Sequence, residues 1–236
     1  MSDLIDGFHW LTTADNWWGN NGIAVRIREH LWYSFLATLA AVVIGLPVGL
    51  AVGHTGKGRF LATNAAGILR AVPTIGVVIL VFRWRPLSLY PVLAALTVLA
   101  IPPIVLNSAA GIQSVDPAAR DAAQGMGYTG WQTLWKVEVP NALGLILAGV
   151  RSAANQVIAT ATVAGYYGLG GLGRFLFTGF SGSRYDMVYG TTIAVVLVVL
   201  AVECAFALTQ RWIVSPGITA GRPRPRRHER RTAHAP

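Results

Sequence analysis

Met187–Leu208 reads MVYGTTIAVVLVVLAVECAFAL, and Glu203 is its one charged side chain among apolar, small and hydroxyl-bearing residues. A run of roughly 17–25 such residues is long enough to cross a bilayer as a helix. In hydrocarbon, backbone N–H and C=O groups find no water. The open-ended segment that satisfies them internally is the α-helix. Four further runs of this kind precede it: Leu31–Gly53, Leu61–Phe82, Leu89–Gly111 and Ala142–Ala164. The second and fourth each enclose one arginine, Arg70 and Arg151. Short segments of alternating hydrophobicity, the mark of a membrane β-barrel, are missing. The expected architecture is an all-α membrane protein of about five transmembrane helices.

Composition agrees. The chain has 236 residues, 53% hydrophobic and 12% charged, with a mean hydropathy of +0.50. A soluble domain carries about 25% charged residues, so much of this surface does not face water. The single cysteine, Cys204, excludes an intrachain disulfide. The net charge of +9 would suit nucleic acid if it formed a basic face, but Arg211, Arg222, Arg224, Arg226, Arg227, Arg230 and Arg231 gather it at the C-terminal end. Nucleic acid is therefore not an expected partner. Residues 1–30 hold no continuous apolar core and no cleavage pattern of a secretory signal.

Five spans put the termini on opposite sides, and Lys and Arg favour the cytoplasm. With the C-terminus inside, 11 basic residues lie in inside segments and 6 outside; the tail supplies seven of the 11. The expected orientation is N-terminus outside and C-terminus cytoplasmic. Trp10, Trp17, Trp18 and Trp32 read as an interfacial anchor before the first span. Gly217–Pro236, rich in proline and arginine, reads as a disordered basic tail lying on anionic lipid.

Between the third and fourth spans stands a polar insert. Asp116 can cap a helix and Pro117 suits its first position. Ala118, Ala122 and Met126 then form one row, with Ala119 and Ala123 beside it, giving a smooth small-residue face. Gly125 or Gly127 ends the helix. Thr129 and Gln132 form a capping box that starts a second short helix, with Trp131, Leu134 and Trp135 apolar and Pro140 at its end. The pair should lie along the membrane surface as a helix–turn–helix.

Other features carry structural and functional readings side by side. Gly45, Gly49 and Gly53 place small residues on one face of the first span, for internal packing or for dimerisation. Pro47, Pro73, Pro102 and Pro103 interrupt three spans, as plain kinks or as broken helices lining a path. Arg151 and Glu203 fall at similar depth at about 1.5 Å rise per residue, which suits an ion pair or a substrate site. Gly168–Gly173 (GLGGLG) matches the dinucleotide fingerprint literally, but lacks the strand–helix setting that gives that motif meaning. It reads instead as a tight non-helical surface beside Tyr166 and Tyr167. The five histidines lack metal-ligand spacing, and no catalytic grouping or P-loop is present. No catalytic residue, metal or cofactor is expected in this chain.

Asp121-Ala122-Ala123, Gly127 and Val137–Pro140 together resemble the EAA motif of permease subunits in binding-protein-dependent ABC importers. Arg70–Thr74 (RAVPT), Gly125–Trp131 (GMGYTGW), Ala148–Ala153 (AGVRSA) and GLGGLG narrow the resemblance to osmoprotectant permeases for glycine betaine, carnitine, choline or proline. Asp121 stands where the family usually has Glu. Leu106–Ala110 and Phe82–Leu89 also depart from its pattern.

The resemblance implies a type I importer permease fold in the plasma (inner) membrane, with a cytoplasmic coupling helix between the third and fourth spans. It implies a partner ATP-binding subunit dimer, a second permease subunit, the same or homologous, and an extracytoplasmic substrate-binding protein; the alternatives are an importer permease for another small substrate such as an amino acid, or a stand-alone carrier or channel. The residues it assigns to ATPase coupling are Ala118, Ala119, Asp121, Ala122, Ala123, Gly125, Met126 and Gly127. The translocation path or bundle core would hold Pro73, Thr74, Pro102, Pro103, Asn107, Arg151, Asn155 and Glu203. Tyr166, Tyr167, Gly168, Gly170, Gly171 and Gly173 would form the loop that meets the binding protein. Residues 1–26 are expected to be an extracytoplasmic or interfacial segment, 27–216 the permease domain and 217–236 the tail.

Overall fold

The computed structural model describes residues 2–58, 60, 63–65, 67, 76, 88–167 and 169–213. Among them the regular structure is helical throughout. Helix α1 (Ser2–Thr12) leads through a 3₁₀ turn to α2 (Ile23–Thr55). Then follow α3 (Leu89–Gln113), α4 (Pro117–Gly125), α5 (Gly130–Thr133), α6 (Val139–Ala161), α7 (Gly173–Ser181) and α8 (Tyr185–Ile213). Four helical stretches are long and apolar enough to span a membrane: Ile23–Thr55, Leu89–Gln113, Gly130–Tyr166 and Tyr185–Ile213. They match the first, third, fourth and fifth expected spans. The second, Leu61–Phe82 with Arg70, Pro73 and Thr74, lies outside the described residues apart from isolated positions, as do most of the 82–89 loop and the basic tail.

Helix α3 is the centre of the bundle, packed on α2 along one side and on α6 along the other. Small residues make both contacts close. A Cβ added at Gly49 would lie 2.8 Å from Ser108 Cβ and 2.9 Å from the Val105 carbonyl; one at Gly53 would lie 2.7 Å from Ile112 Cβ. The glycine stripe of α2 is thus an internal seam against α3. On the far side, Gly149 of α6 meets Asn107 and the Pro103 carbonyl in the same way, at 2.8 and 3.0 Å from a built Cβ. Pairs of this kind let helix backbones approach in lipid, where no hydrophobic force drives them together. We predict that Gly49→Leu destabilises the chain by about 1–3 kcal/mol through overpacking. A lowered thermal midpoint in detergent would show it, and an unchanged midpoint would place the seam elsewhere.

Pro102 and Pro103 stay inside α3. Proline removes the donor that would serve the carbonyl four residues back. For Pro103 that carbonyl is Leu99, and Gln156 Nε2 of α6 donates to it at 3.4 Å. A neighbouring helix thereby replaces the lost bond, as lipid burial requires.

Three expectations change in detail. The helix that carries the first apolar run begins at Ile23, ahead of Leu31, because Arg26, Glu29 and His30, which precede that run, all find partners inside the fold. The tryptophans divide: Trp10 is buried against Met187 and Ile158 and edge-on to Phe175, at 5.3 Å between ring centroids. Trp17 Nε1 donates to the Leu11 carbonyl at 2.6 Å, whereas Trp18 and Trp32 are exposed. Trp10 and Trp17 are thus packing residues that tie α1 to the bundle. Finally, Pro140 does not end the second short helix. A π-turn over Leu134–Glu138 carries α5 directly into α6, so Pro140 lies within one continuous helical stretch, Gly130–Tyr166, directly after the π-turn, the kind of local adjustment by which a membrane helix tolerates proline.

Candidate functional site

At one end of the bundle, α4 is capped on both sides. Asp116 Oδ1 accepts from Ala118 N at 2.9 Å with Pro117 at the first position. At the other end Gly127 adopts φ +84°, and Tyr128 N donates to the Ala123 carbonyl at 3.0 Å, a Schellman closure that glycine makes possible. The capping box then forms as expected: Thr129 N donates to Gln132 Oε1 at 2.9 Å, and Gln132 N to Thr129 Oγ1 at 3.3 Å. Local chemistry fixes both ends of a nine-residue helix.

Ala118, Ala119, Asp121, Ala122, Gly125, Met126 and Gly127 are exposed. Ala123 is not: it is 0% exposed and faces the bundle, so it leaves the expected outward face. The helical period explains the difference, since Ala123 lies three residues from Arg120, which also turns inward. Trp131 and Trp135 are exposed and meet edge to face at 5.6 Å.

Behind α4 lies a group that sequence reading missed. Glu138, 2% exposed, occupies the same buried stripe as Leu134, Ala142 and Ile146. Its Oε1 is 3.0 Å from Arg120 Nε of α4, and its Oε2 is 2.6 Å from His54 Nδ1 in the last turn of α2. Arg120 also donates through Nη2 to the Ile112 carbonyl at the end of α3. Buried carboxylates are costly unless paired and hydrogen-bonded, and this one has partners on two elements.

In the middle of the bundle Arg151 Nη2 contacts Glu203 Oε1, and Asn155 Nδ2 donates to Glu203 Oε2 at 2.6 Å. The expected α6–α8 pair is present. Pro102 and Pro103 are buried and Asn107 is half-buried, its Nδ2 donating to the Pro103 carbonyl at 2.8 Å.

The GLGGLG segment sits at the opposite end. Gly170 and Gly171 have φ of +96° and +68°, and both lie on α2. Gly171 N donates to Glu29 Oε2 at 2.9 Å, which also accepts from Arg26 Nη1 at 2.8 Å. Tyr33 Oη donates to the Leu169 carbonyl at 2.9 Å. A Cβ on Gly171 would lie 3.3 Å from His30 Nδ1, and one on Gly170 3.0 Å from Arg26 Nη1. Gly173 packs on the Thr162 backbone. These glycines serve backbone approach, while Tyr166 is the exposed part of the loop. The Tyr167 side chain and Gly168 lie outside the described residues. We predict that Gly171→Ala weakens this closure by about 1–2 kcal/mol, because left-handed backbone is unfavourable for alanine. Faster proteolysis after Tyr166–Tyr167 would report it, and an unchanged cleavage rate would contradict it.

Comparison with known proteins agrees with this geometry. The family model described as "Binding-protein-dependent transport system inner membrane component" matches residues 22–215. The carnitine transport permease protein of Listeria monocytogenes is 33% identical over 187 residues, covering 79% of this chain and 85% of the relative. The osmoprotectant import permease protein of Salmonella typhimurium is 33% identical over 199 residues, covering 80% and 91%. An inward-facing structure of the MetNI methionine ABC transporter superposes with a TM-score of 0.73 at 22% identity, over 81% of this chain and 96% of that one; it has the same type I importer permease fold. With the model spanning most of the chain and the apolar helices in place, this protein belongs to the inner membrane components of binding-protein-dependent transport systems, as a multi-pass permease subunit of an ABC importer.

Proposed function

We propose that the chain forms the translocation path of an ATP-driven importer for a compatible solute of the glycine betaine, choline, carnitine or proline betaine class. One observation carries the mechanism: α4 is a short helix capped at both ends, with an exposed small-residue face and an inner side tied to the bundle. Such a helix can seat in a protein groove and move as a unit. The substrate class rests on the relatives named above, which are described as carnitine and osmoprotectant permeases.

In this reading ATP is hydrolysed in a partner subunit dimer whose groove receives Ala118, Ala119, Asp121, Ala122, Gly125, Met126 and Gly127. The α4 end and the C-terminal tail face the cytoplasm, and the N-terminus lies outside. A second permease subunit, the same or homologous, completes the path. Pro102, Pro103, Asn107, Arg151, Asn155 and Glu203 border it. The extracytoplasmic binding protein delivers solute near Tyr166 and the glycine loop.

The substrate is tested by competition. Cells without their own osmolyte uptake, carrying this chain with its ATPase and binding protein, should take up labelled glycine betaine or choline at high salt. Excess unlabelled betaine should suppress that uptake and excess methionine should not. Suppression by an amino acid alone would replace the solute class and leave the permease role intact.

A further inference from the structure

Helix α4 has one buried residue, Ala123, among its nine. It is joined to the chain through Ser114–Asp116 on one side and through Gly127, with φ +84°, on the other. A helix seated on one methyl group between two turns would pivot when pushed. The Arg120–Glu138 contact prevents that, and its partners lie on every neighbouring helix end. Arg120 reaches the Ile112 carbonyl of α3 and the Glu138 carboxylate at the entry of α6. Glu138 in turn holds His54 at the end of α2. The His54 ring also rests on α5, where a Cβ on Gly130 would touch Nε2 at 3.4 Å.

We propose that Glu138 is a positioning residue for transport: at the entry of α6 its carboxylate pairs with Arg120 of α4 and meets His54 of α2, while Arg120 itself reaches α3, so that a displacement of α4 moves three spans together. This rests on the coupling role of α4 proposed above. A carboxylate suits the task because one oxygen pairs with the Arg120 guanidinium at 3.0 Å while the other meets His54 Nδ1 on a different element, whereas an amide carries no charge and offers one acceptor. Apolar packing at this place would supply neither the charge pairing nor the hydrogen bond to His54.

The test uses the whole importer, with its ATPase and binding protein, in lipid vesicles, and reads solute imported per ATP hydrolysed. Glu138→Gln is expected to lower that ratio at least tenfold while ATP hydrolysis persists. Glu138→Asp keeps the charge and should recover part of it. If Glu138→Gln fails to assemble, His54→Gln, whose side chain is 29% exposed, and Arg120→Gln each remove one arm and should lower the same ratio. An unchanged ratio, or import and hydrolysis falling in parallel in all these variants, overturns the proposal and makes Glu138 an ordinary structural ion-pair residue. The coupling role is read separately, from the exposed face of α4. Lost import in Asp121→Lys with Ala122→Trp, beside an unchanged ratio in Glu138→Gln, removes the joint alone. Wild-type import in both removes the coupling role itself.

Discussion

Asp121→Lys combined with Ala122→Trp is expected to abolish uptake while leaving the chain in the membrane at its normal level. Both side chains are exposed on α4, so neither substitution disturbs the buried seams. Surface changes of this kind ordinarily alter stability by less than about 0.5 kcal/mol. What they alter is the face offered to a groove. Lysine reverses the charge at Asp121, and an indole replaces a methyl group where close approach is required. Uptake of labelled glycine betaine and immunodetection of the chain in membranes check the two halves. Normal uptake would mean that α4 does not carry the ATPase contact.

The second large effect is expected at Arg151 and Glu203. Each single reversal, Arg151→Glu or Glu203→Arg, places two like charges together between α6 and α8. Unpaired charges at depth in a membrane are strongly disfavoured. Each should reduce the amount of assembled, transport-competent protein severely. The swapped double variant restores opposite charges, and Asn155 can still hydrogen-bond to either partner. If the pair is structural, the swap recovers most of the assembled protein. If the swap assembles and still fails to transport, the orientation of the charges along the path matters to the solute. Size-exclusion profiles and uptake, measured side by side, separate the two.

How much of this was legible in the sequence depends on the range of the physics. The first, third, fourth and fifth spans were legible because each is a long local run governed by backbone satisfaction in lipid. The caps of α4 were legible residue by residue, since Asp116, Gly127, Thr129 and Gln132 act within a few positions of themselves. Even the Arg151–Glu203 pair was accessible, because helix rise sets depth. The Arg26–Glu29–Gly171 closure was not, for it joins residues separated by more than half of the chain. Glu138 looked like one letter of a motif until the fold brought Arg120 and His54 to its two oxygens. Pro140 misled for a related reason: a proline can end a helix or stand within one, and here the preceding π-turn carries the helix past it. Trp10 was read from residue type, and the close crossing of Gly7 against Gly190, where a Cβ on Gly7 would lie 2.8 Å from the Gly190 nitrogen, instead draws it into the core.

The central claim is that the exposed face of α4 is seated on the ATPase subunit, and site-directed cross-linking tests it most directly. In a background with Cys204→Ala, single cysteines are placed at Ala122, which is exposed, and at Ala123, which is 0% exposed. In membranes containing the assembled importer, Ala122→Cys should form a cross-link to the ATP-binding subunit whose yield changes when ATP is added, and Ala123→Cys should form none. Cross-linking from neither position, or from Ala123 alone, would contradict the account.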